Sequence, residues 1–401
     1  MPQDKKRRES VMRATGYKHH GFNVRELLLR IKGVVLPFAK KNVVMIIAGL
    51  CALVTCFIVP PDSEYLEYFD LKTLSCLFCV LAVVCALKNI KFFFSIARRV
   101  VEIFKNTRAS VLALVYITFI GSMLIANDMA LLTFLPLGYI VLKETGKEKY
   151  MAFTFIMQNI SANLGGMLTP FGNPQNLYLY SKFAIDNLEF MGIMLPPFLI
   201  SVALITLCTL IFVKKEAIEI KGDRISLPPV RLSVYLALFL LAILIVFRGI
   251  PYQIGLILIP IVLLFMDRRA LLKVDYPLLL TFVFFFIFSG NMARIDGVAY
   301  LLEGFLQLDT MIASALSCQV ISNVPSAILL SQFTTDYKGL LLGVNIGGVG
   351  TLISSLASLI TLREYAKHNP QGTRDYILKF SLFNFGFLAI LIGFMCILRL
   401  F

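Results

Sequence analysis

Asn127, Asn163, Asn173, Asn176, Asn323, Asn345 and one aspartate, Asp128, stand inside apolar runs where polar side chains are costly. Asn127-Asp128 interrupts the run 109–142, and Ser322-Asn323 interrupts the run 310–331. Behind each step lies a second interruption. Residues 163–183 read NLGGMLTPFGNPQNLYLYSKF, and residues 345–365 read NIGGVGTLISSLASLITLREY. Aligned without gaps they share Asn163/Asn345, Gly165/Gly347, Gly166/Gly348, Thr169/Thr351 and Leu177/Leu359. Gly165, Gly166, Gly172 and Pro174 in the first patch, and Gly347 and Gly348 in the second, break a helix near its middle. Broken ends expose N–H groups with positive dipole character, which suits an anion. Unwound carbonyls, with the side chains of Asn163, Thr169, Asn173, Asn176, Asn345, Thr351, Ser354 and Ser358, can hold a cation or hydrogen-bond a substrate. Non-helical backbone at membrane depth survives only where it lines a cavity or is buried in protein. One such patch alone reads equally well as a close helix–helix contact. Two in register, each behind a polar step, point to the binding site of a carrier.

Asp128 is the one carboxylate in the middle of an apolar segment. A charge there is a functional candidate by default. It can be held protonated by desolvation, or ionised beside a bound cation; the plainer reading is a helix cap at the turn. His19, His20 and His368 all fall in segments read as cytoplasmic. That leaves Asp128 as the candidate proton carrier. The eight cysteines lie within apolar segments, and Cys76-x-x-Cys79 has no second pair or histidine to complete a metal site. No cofactor is expected. Pro136 and Pro325 flank the polar steps and are expected to shape helix ends.

The elements that position these residues follow from composition. The chain has 401 residues, 58% hydrophobic and only 15% charged, with a mean hydropathy of +0.81. Soluble domains carry about 25% charged residues. Apolar runs of spanning length recur at 42–59, 71–87, 109–142, 149–180, 190–213, 231–247, 251–266, 276–291, 310–331, 339–362 and 376–400. The fold class expected is an all-α polytopic membrane protein of two inverted repeats, each with a re-entrant hairpin and a broken transmembrane helix. Residues 1–41 form a basic cytoplasmic segment without a cleavable signal peptide, and an amphipathic surface helix is expected over 23–39. Residues 42–213 form the first repeat, 214–247 a cytoplasmic loop and linking helix, and 248–401 the second repeat. Each repeat has a span opening after an Asp (Asp70, Asp275), then an amphipathic stretch, the interrupted hairpin, the interrupted helix and a long final helix.

Four crossings in the first repeat plus the linking helix place the second repeat upside down. With the N-terminus in the cytoplasm and the C-terminus outside, 32 of the 38 Lys and Arg fall inside. That is a strong orientation signal for a plasma-membrane protein. The net charge of +14 therefore reads as topology, not as nucleic-acid binding. No H-E-x-x-H, G-x-S-x-G or Walker A pattern is present, so neither an embedded enzyme nor an ATP-driven pump is expected. The expected partners are the lipid bilayer and a small molecule or ion.

The motifs ANDMALLTFLPL (126–137), GGMLTPFGNPQNL (165–177), SNVPSAILL (322–330) and NIGGVGTLISSLASL (345–359) resemble those of the ion transporter superfamily. That group holds citrate and dicarboxylate carriers, arsenical pump membrane proteins and a type of sodium/proton antiporter. The resemblance covers about residues 42–400. It implies that Asn127, Ser322 and Asn323 match hairpin-tip residues that touch sodium and substrate carboxylate, which would place Na⁺ near Asn127, Asp128 and Asn323. It carries Gly172, Pro174 and Asn176 over to the first broken helix, and implies a homodimer. Ala126, Asp128 and Val324 depart from the dicarboxylate branch's Ser-Asn-Thr tips; the Asn-Asp tip is more similar to the arsenical-pump and antiporter branches. The function expected is secondary active transport of a small anion or oxyanion such as a carboxylate, coupled to H⁺ or Na⁺. The alternatives are Na⁺/H⁺ antiport and arsenite or antimonite efflux.

Overall fold

The computed structural model describes residues 42–218 and 226–399. The chain divides into two units, Met1–Ile47 and Ala48–Phe401, and the second holds the helical body of the protein. The surface helix expected over 23–39 lies outside the described residues.

Helices account for nearly all of that body. In chain order they are α1 (Val43–Ile58), α2 (Leu71–Asn89), α3 (Phe92–Glu102), α4 (Thr107–Ile125), α5 (Asn127–Glu144), α6 (Met151–Gly165), α7 (Pro174–Lys182), α8 (Asn187–Phe212) and α9 (Pro229–Val246). They continue as α10 (Tyr252–Met266), α11 (Arg268–Leu272), α12 (Tyr276–Ala293), α13 (Asp296–Leu308), α14 (Thr310–Ile321), α15 (Asn323–Leu330), α16 (Tyr337–Ile346), α17 (Leu356–His368) and α18 (Thr373–Leu398). Among the described residues no strand forms; Asn106 and Ala217 make one isolated bridge.

Six of these helices (α2, α4, α8, α9, α12 and α18) are long and apolar enough to cross a membrane. Two expected spans are shorter. α1 stops before Pro60-Pro61, and α10 is bounded by Pro251 and Asp267. Sixteen and 15 residues reach only about 22–24 Å, against about 30 Å of hydrocarbon. The outward faces are apolar where lipid would meet them: Phe57, Phe265 and Leu382 are each at least 74% exposed. α2 is the opposite case, buried along most of its length against α9 and α10.

Acidic and amide caps set where the repeated elements begin. Asp70 accepts from Thr73 N (2.9 Å) and Asp275 from Leu278 N (3.0 Å), so the two matched spans start the same way. Asn106 caps α4 through Ala109 N, and Asp309 caps α14 through Ile312 N. Each cap satisfies a helix-terminal N–H that would otherwise be orphaned. The amphipathic stretches form α3 and α13, and α13 meets α14 at a bend of 120°.

Polar contacts between helix ends fall into two groups. In one, Arg294 pairs with Asp62 (2.6 Å), Arg248 donates to Tyr180 O (2.7 Å), Lys182 reaches Gln332 (3.3 Å), Lys338 pairs with Glu189 (3.1 Å) and Arg399 with Asp309 (3.2 Å). In the other, Asn89 donates to Asp267 (2.9 Å), Arg108 to Val213 O (2.7 Å), Lys149 pairs with Glu216 (2.8 Å), Lys147 joins the same carboxylate, and Tyr139 stacks on His368. The feet of α4 and α5 belong to the second group, and those of α14 and α15 to the first. Helix α8 runs from Glu189 in the first group to its C-cap Val213 in the second, so the two hairpins open toward opposite ends of that helix.

Candidate functional site

The two hairpins turn with one backbone geometry. Ala126 joins α4 to α5 at φ 65°, ψ 153°, and Ser322 joins α14 to α15 at φ 74°, ψ 161°. That region is almost reserved for glycine and costs on the order of 1–3 kcal/mol for other residues. The asparagine that follows supports the turn in both. Asn127 Oδ1 accepts from Asp128 N (3.0 Å), and Asn323 Oδ1 accepts from Val324 N (2.9 Å). At the first tip no side chain caps α5 from the N-cap position, so Asp128 is not the helix cap. Asp128 Oδ1 is buried and accepts no hydrogen bond.

Both broken helices break as the glycines require. α6 ends at Gly165, a single 3₁₀ turn covers Gly166–Leu168, and α7 starts at Pro174, a favoured first helical residue. α16 ends at Ile346 and α17 starts at Leu356 behind the N-cap Ser355. Each break leans on the hairpin of its own repeat. Thr169 Oγ1 donates to Met123 O (3.0 Å), and Thr351 Oγ1 donates to Gln319 O (3.0 Å). Met123 and Gln319 both stand four residues before the tip asparagine, so the bond is the same in both repeats. Beyond the break the partners exchange: α7 packs along α15, and α17 along α5.

The four parts meet through amides. Asn127 Nδ2 donates to Asn163 Oδ1 (3.2 Å), and Asn163 Nδ2 to Asn159 O (3.1 Å). A Cβ on Gly348 would lie 3.3 Å from Asn323 Nδ2 and 3.7 Å from Asn163 Oδ1, so this glycine sits between the second tip and the end of α6. Asn345 Nδ2 donates to Asn176 Oδ1 (2.6 Å), and Asn173 Nδ2 to Asn345 Oδ1 (3.5 Å), which ties one broken helix to the other. Asn176 also holds the carbonyls of Gly166, Met167 and Thr169 (3.2–3.3 Å). Ser354 Oγ does the like for Gly348 O (3.0 Å) and Thr351 O (2.8 Å). These asparagines are all at most 4% exposed. Asn173 Oδ1, beside Gly166, is a second buried acceptor without a partner.

Not every expected residue lines this cluster. A Cβ on Gly165 would overlap the Phe119 carbonyl, and one on Gly347 would press on Ala315. These two glycines let the hairpins approach, which is the packing reading. Gly172 makes the same close approach to the Gly166 carbonyl inside its own loop. Ser322 Oγ donates to Ser354 O (3.3 Å) and closes tip on loop. Ser358 belongs to a neighbouring group with Asn159 (3.4 Å), which also touches Asn384 and Thr361. Pro136 does not end a helix; α5 runs through it to Glu144. Pro325 sits in the first turn of α15, where its missing N–H costs nothing. Sequence reading missed Asn159, Gln319, Thr361 and Asn384. Each is polar within an apolar run, and that signal was available.

The electrostatics are spare. Helices α5, α7, α15 and α17 begin at this centre, while α4, α6, α14 and α16 end there. Among the described residues that form the cluster, Asp128 has the one ionisable side chain. The arrangement offers main-chain and amide donors to an anion, and a carboxylate with amide oxygens to a cation. Among the described residues no cluster of His, Cys, Asp and Glu suits a metal ion of the tightly held kind.

Comparison with known proteins agrees with this architecture. The family model described as "Citrate transporter" matches residues 33–336, a stretch that holds both hairpins and the first broken helix. An uncharacterized transporter of Methanocaldococcus jannaschii is 34% identical over 320 residues, which cover 79% of this chain and 86% of that one. The inner membrane protein YbiR of Escherichia coli is 31% identical over 278 residues, covering 68% of this chain and 74% of its own. An all-α chain with spanning helices, a family match over most of its length and a transporter among its relatives lead to one assignment: the protein belongs to the citrate transporter family and is a multi-pass membrane transporter.

Proposed function

We propose that the protein is a secondary active transporter of a small anion or oxyanion of low charge, such as a carboxylate, coupled to H⁺ or Na⁺ through Asp128. The observation that carries the reading is the meeting of both hairpin tips and both broken helices in one buried amide cluster, with a buried, unpartnered carboxylate oxygen on Asp128, the residue after the tip Asn127. Alternating access would work around that cluster. The two repeats are read as inverted, which the opposite opening of the hairpins supports, in a plasma membrane with the N-terminus inside. A highly charged anion would find no cationic side chain in the cluster, and burying it unpaired is expensive. The same observation favours, as a second reading, Na⁺/H⁺ antiport or efflux of arsenite or antimonite, where the cargo is a cation or a neutral oxyacid.

One assay separates these. Purified protein in liposomes is given carboxylates, oxyanions and arsenite under pH and Na⁺ gradients, as the wild type and as Asp128→Asn. The substitution keeps shape and hydrogen-bonding capacity but cannot ionise. It should leave substrate binding within a few-fold and abolish gradient-driven accumulation. Accumulation by the variant at the wild-type rate and with the wild-type pH dependence would remove Asp128 from the coupling role.

A further inference from the structure

We propose that Gln319 is the positioning residue of the second half-site: its amide holds the unwound loop 347–355 in shape and makes hairpin two and broken helix two move as one body. This rests on the reading that the loop lines the transport site.

The loop has main-chain groups that need partners at membrane depth, and the Gln319 amide supplies three of them. Its Nε2 donates to Gly347 O (2.9 Å), Val349 O (3.3 Å) and Ala315 O of its own helix (3.0 Å). Its Oε1 accepts from Thr351 N (2.9 Å), and its main-chain oxygen accepts from Thr351 Oγ1 (3.0 Å). The tip adds Asn323 N to Ser354 O (2.9 Å). Gly350 is shaped to this amide: it takes φ +129°, and a Cβ there would overlap Gln319 Oε1. None of these partners is ionisable.

The first repeat solves the same problem differently. The residue at the matching place is Met123, which has no amide, and the loop carbonyls are held from within the broken helix by Asn176. The half-sites are thus unequal. The first loop is braced by its own helix, and the carboxylate of that half-site, Asp128, stands at the hairpin tip. The second is uncharged and pinned to its hairpin. Met has no donor and only a weak acceptor, Glu keeps the acceptor but loses the donors when ionised, and Asn falls one methylene short.

The test uses the purified full chain with Gln319→Met and Gln319→Glu. Hydrogen–deuterium exchange of the 347–355 peptide, corrected for the intrinsic pH effect, reads positioning without any substrate. Leaving buried carbonyls and an N–H unpaired should raise exchange there about tenfold or more in the Met variant, with 166–173 unchanged. The Glu variant should exchange fast at pH 8 and slow toward wild type at pH 4, because a neutral carboxyl regains one donor. In liposomes the half-saturation concentration should rise more than the maximal rate falls. Unchanged exchange at 347–355 in both variants, or a Glu variant indifferent to pH, would overturn the proposal. If Gln319→Met does not insert, the pH response of the Glu variant decides alone. Exchange changed as expected in a chain that moves none of the substrates would uphold the positioning role and count against the transport reading.

Discussion

Gly348 shows how much at this centre depends on a missing side chain. It stands between Asn323 Nδ2 and Asn163 Oδ1, so anything larger enters the space where the second tip meets the first broken helix. Gly348→Ala should insert and fold, and lower transport at least about tenfold, the change expected when a well-placed group shifts by a fraction of an ångström. Gly348→Leu should abolish it. Near-wild-type uptake by the leucine variant, measured beside its surface expression, would move the site elsewhere. Much of this was legible in the sequence, because a Gly-Gly pair or an asparagine inside an apolar run has few explanations. What was not legible was the division of labour among them. Gly165 and Gly166 are adjacent, yet one faces a hairpin carbonyl and the other faces Asn173. Only the phase of the helix ending there distinguishes them. Gln319 and Asn159 escaped for a related reason: a lone amide in an apolar run does not reveal which backbone it reaches.

The elements were easier to read than their ends. Hairpins, broken helices and the capping aspartates all follow from local pattern, whereas the short α1 and α10 are cut by prolines and a cap that hydropathy averaging passes over. At the feet of hairpin one, the segment after α8 acts as a strap. Glu216 O accepts from Thr107 N (2.8 Å), while its carboxylate takes Lys147, Lys149 (2.8 Å) and Tyr150 (3.3 Å). The hydrogen bonds from Lys147 and Lys149 pull that carboxyl from 4.5 down to about 2. A lowered carboxyl stabilises the fold above its unfolded value and loses that contribution as pH falls through the folded one. The strap should therefore hold unchanged from pH 8 to pH 5 and loosen between about 4.5 and 2. Glu216→Gln should loosen it at neutral pH, read as faster exchange of 213–218. Loosening of the wild type between pH 8 and 5 would show that another group sets it.

At the scale of the whole molecule, orientation is the property that charge alone can assign and geometry cannot. The end that holds Arg108, Lys147 and Lys149 is the one expected in the cytoplasm from the distribution of Lys and Arg. Single cysteines at the exposed Glu67 and Lys215 positions, in a cysteine-free background, should react with an impermeant reagent in intact cells at 67 and not at 215. The reverse pattern, or labelling of both, would sink the inverted arrangement. One further consequence comes from the eight helix ends at the centre, four of each polarity. Their partial charges, about half an elementary charge apiece, offset one another, so the resting protein contributes almost no fixed charge there apart from Asp128. If Asp128 carries one coupling ion, the carboxylate itself returns to its starting side in each cycle, so the net charge of a turnover is that of the cargo and of that one ion, each charge worth about 2.3 kcal/mol per 100 mV as it crosses the membrane field. Electrical recording from Asp128→Asn should reveal a change of one elementary charge per cycle, which makes the voltage dependence of this carrier a property that one side chain can rewrite.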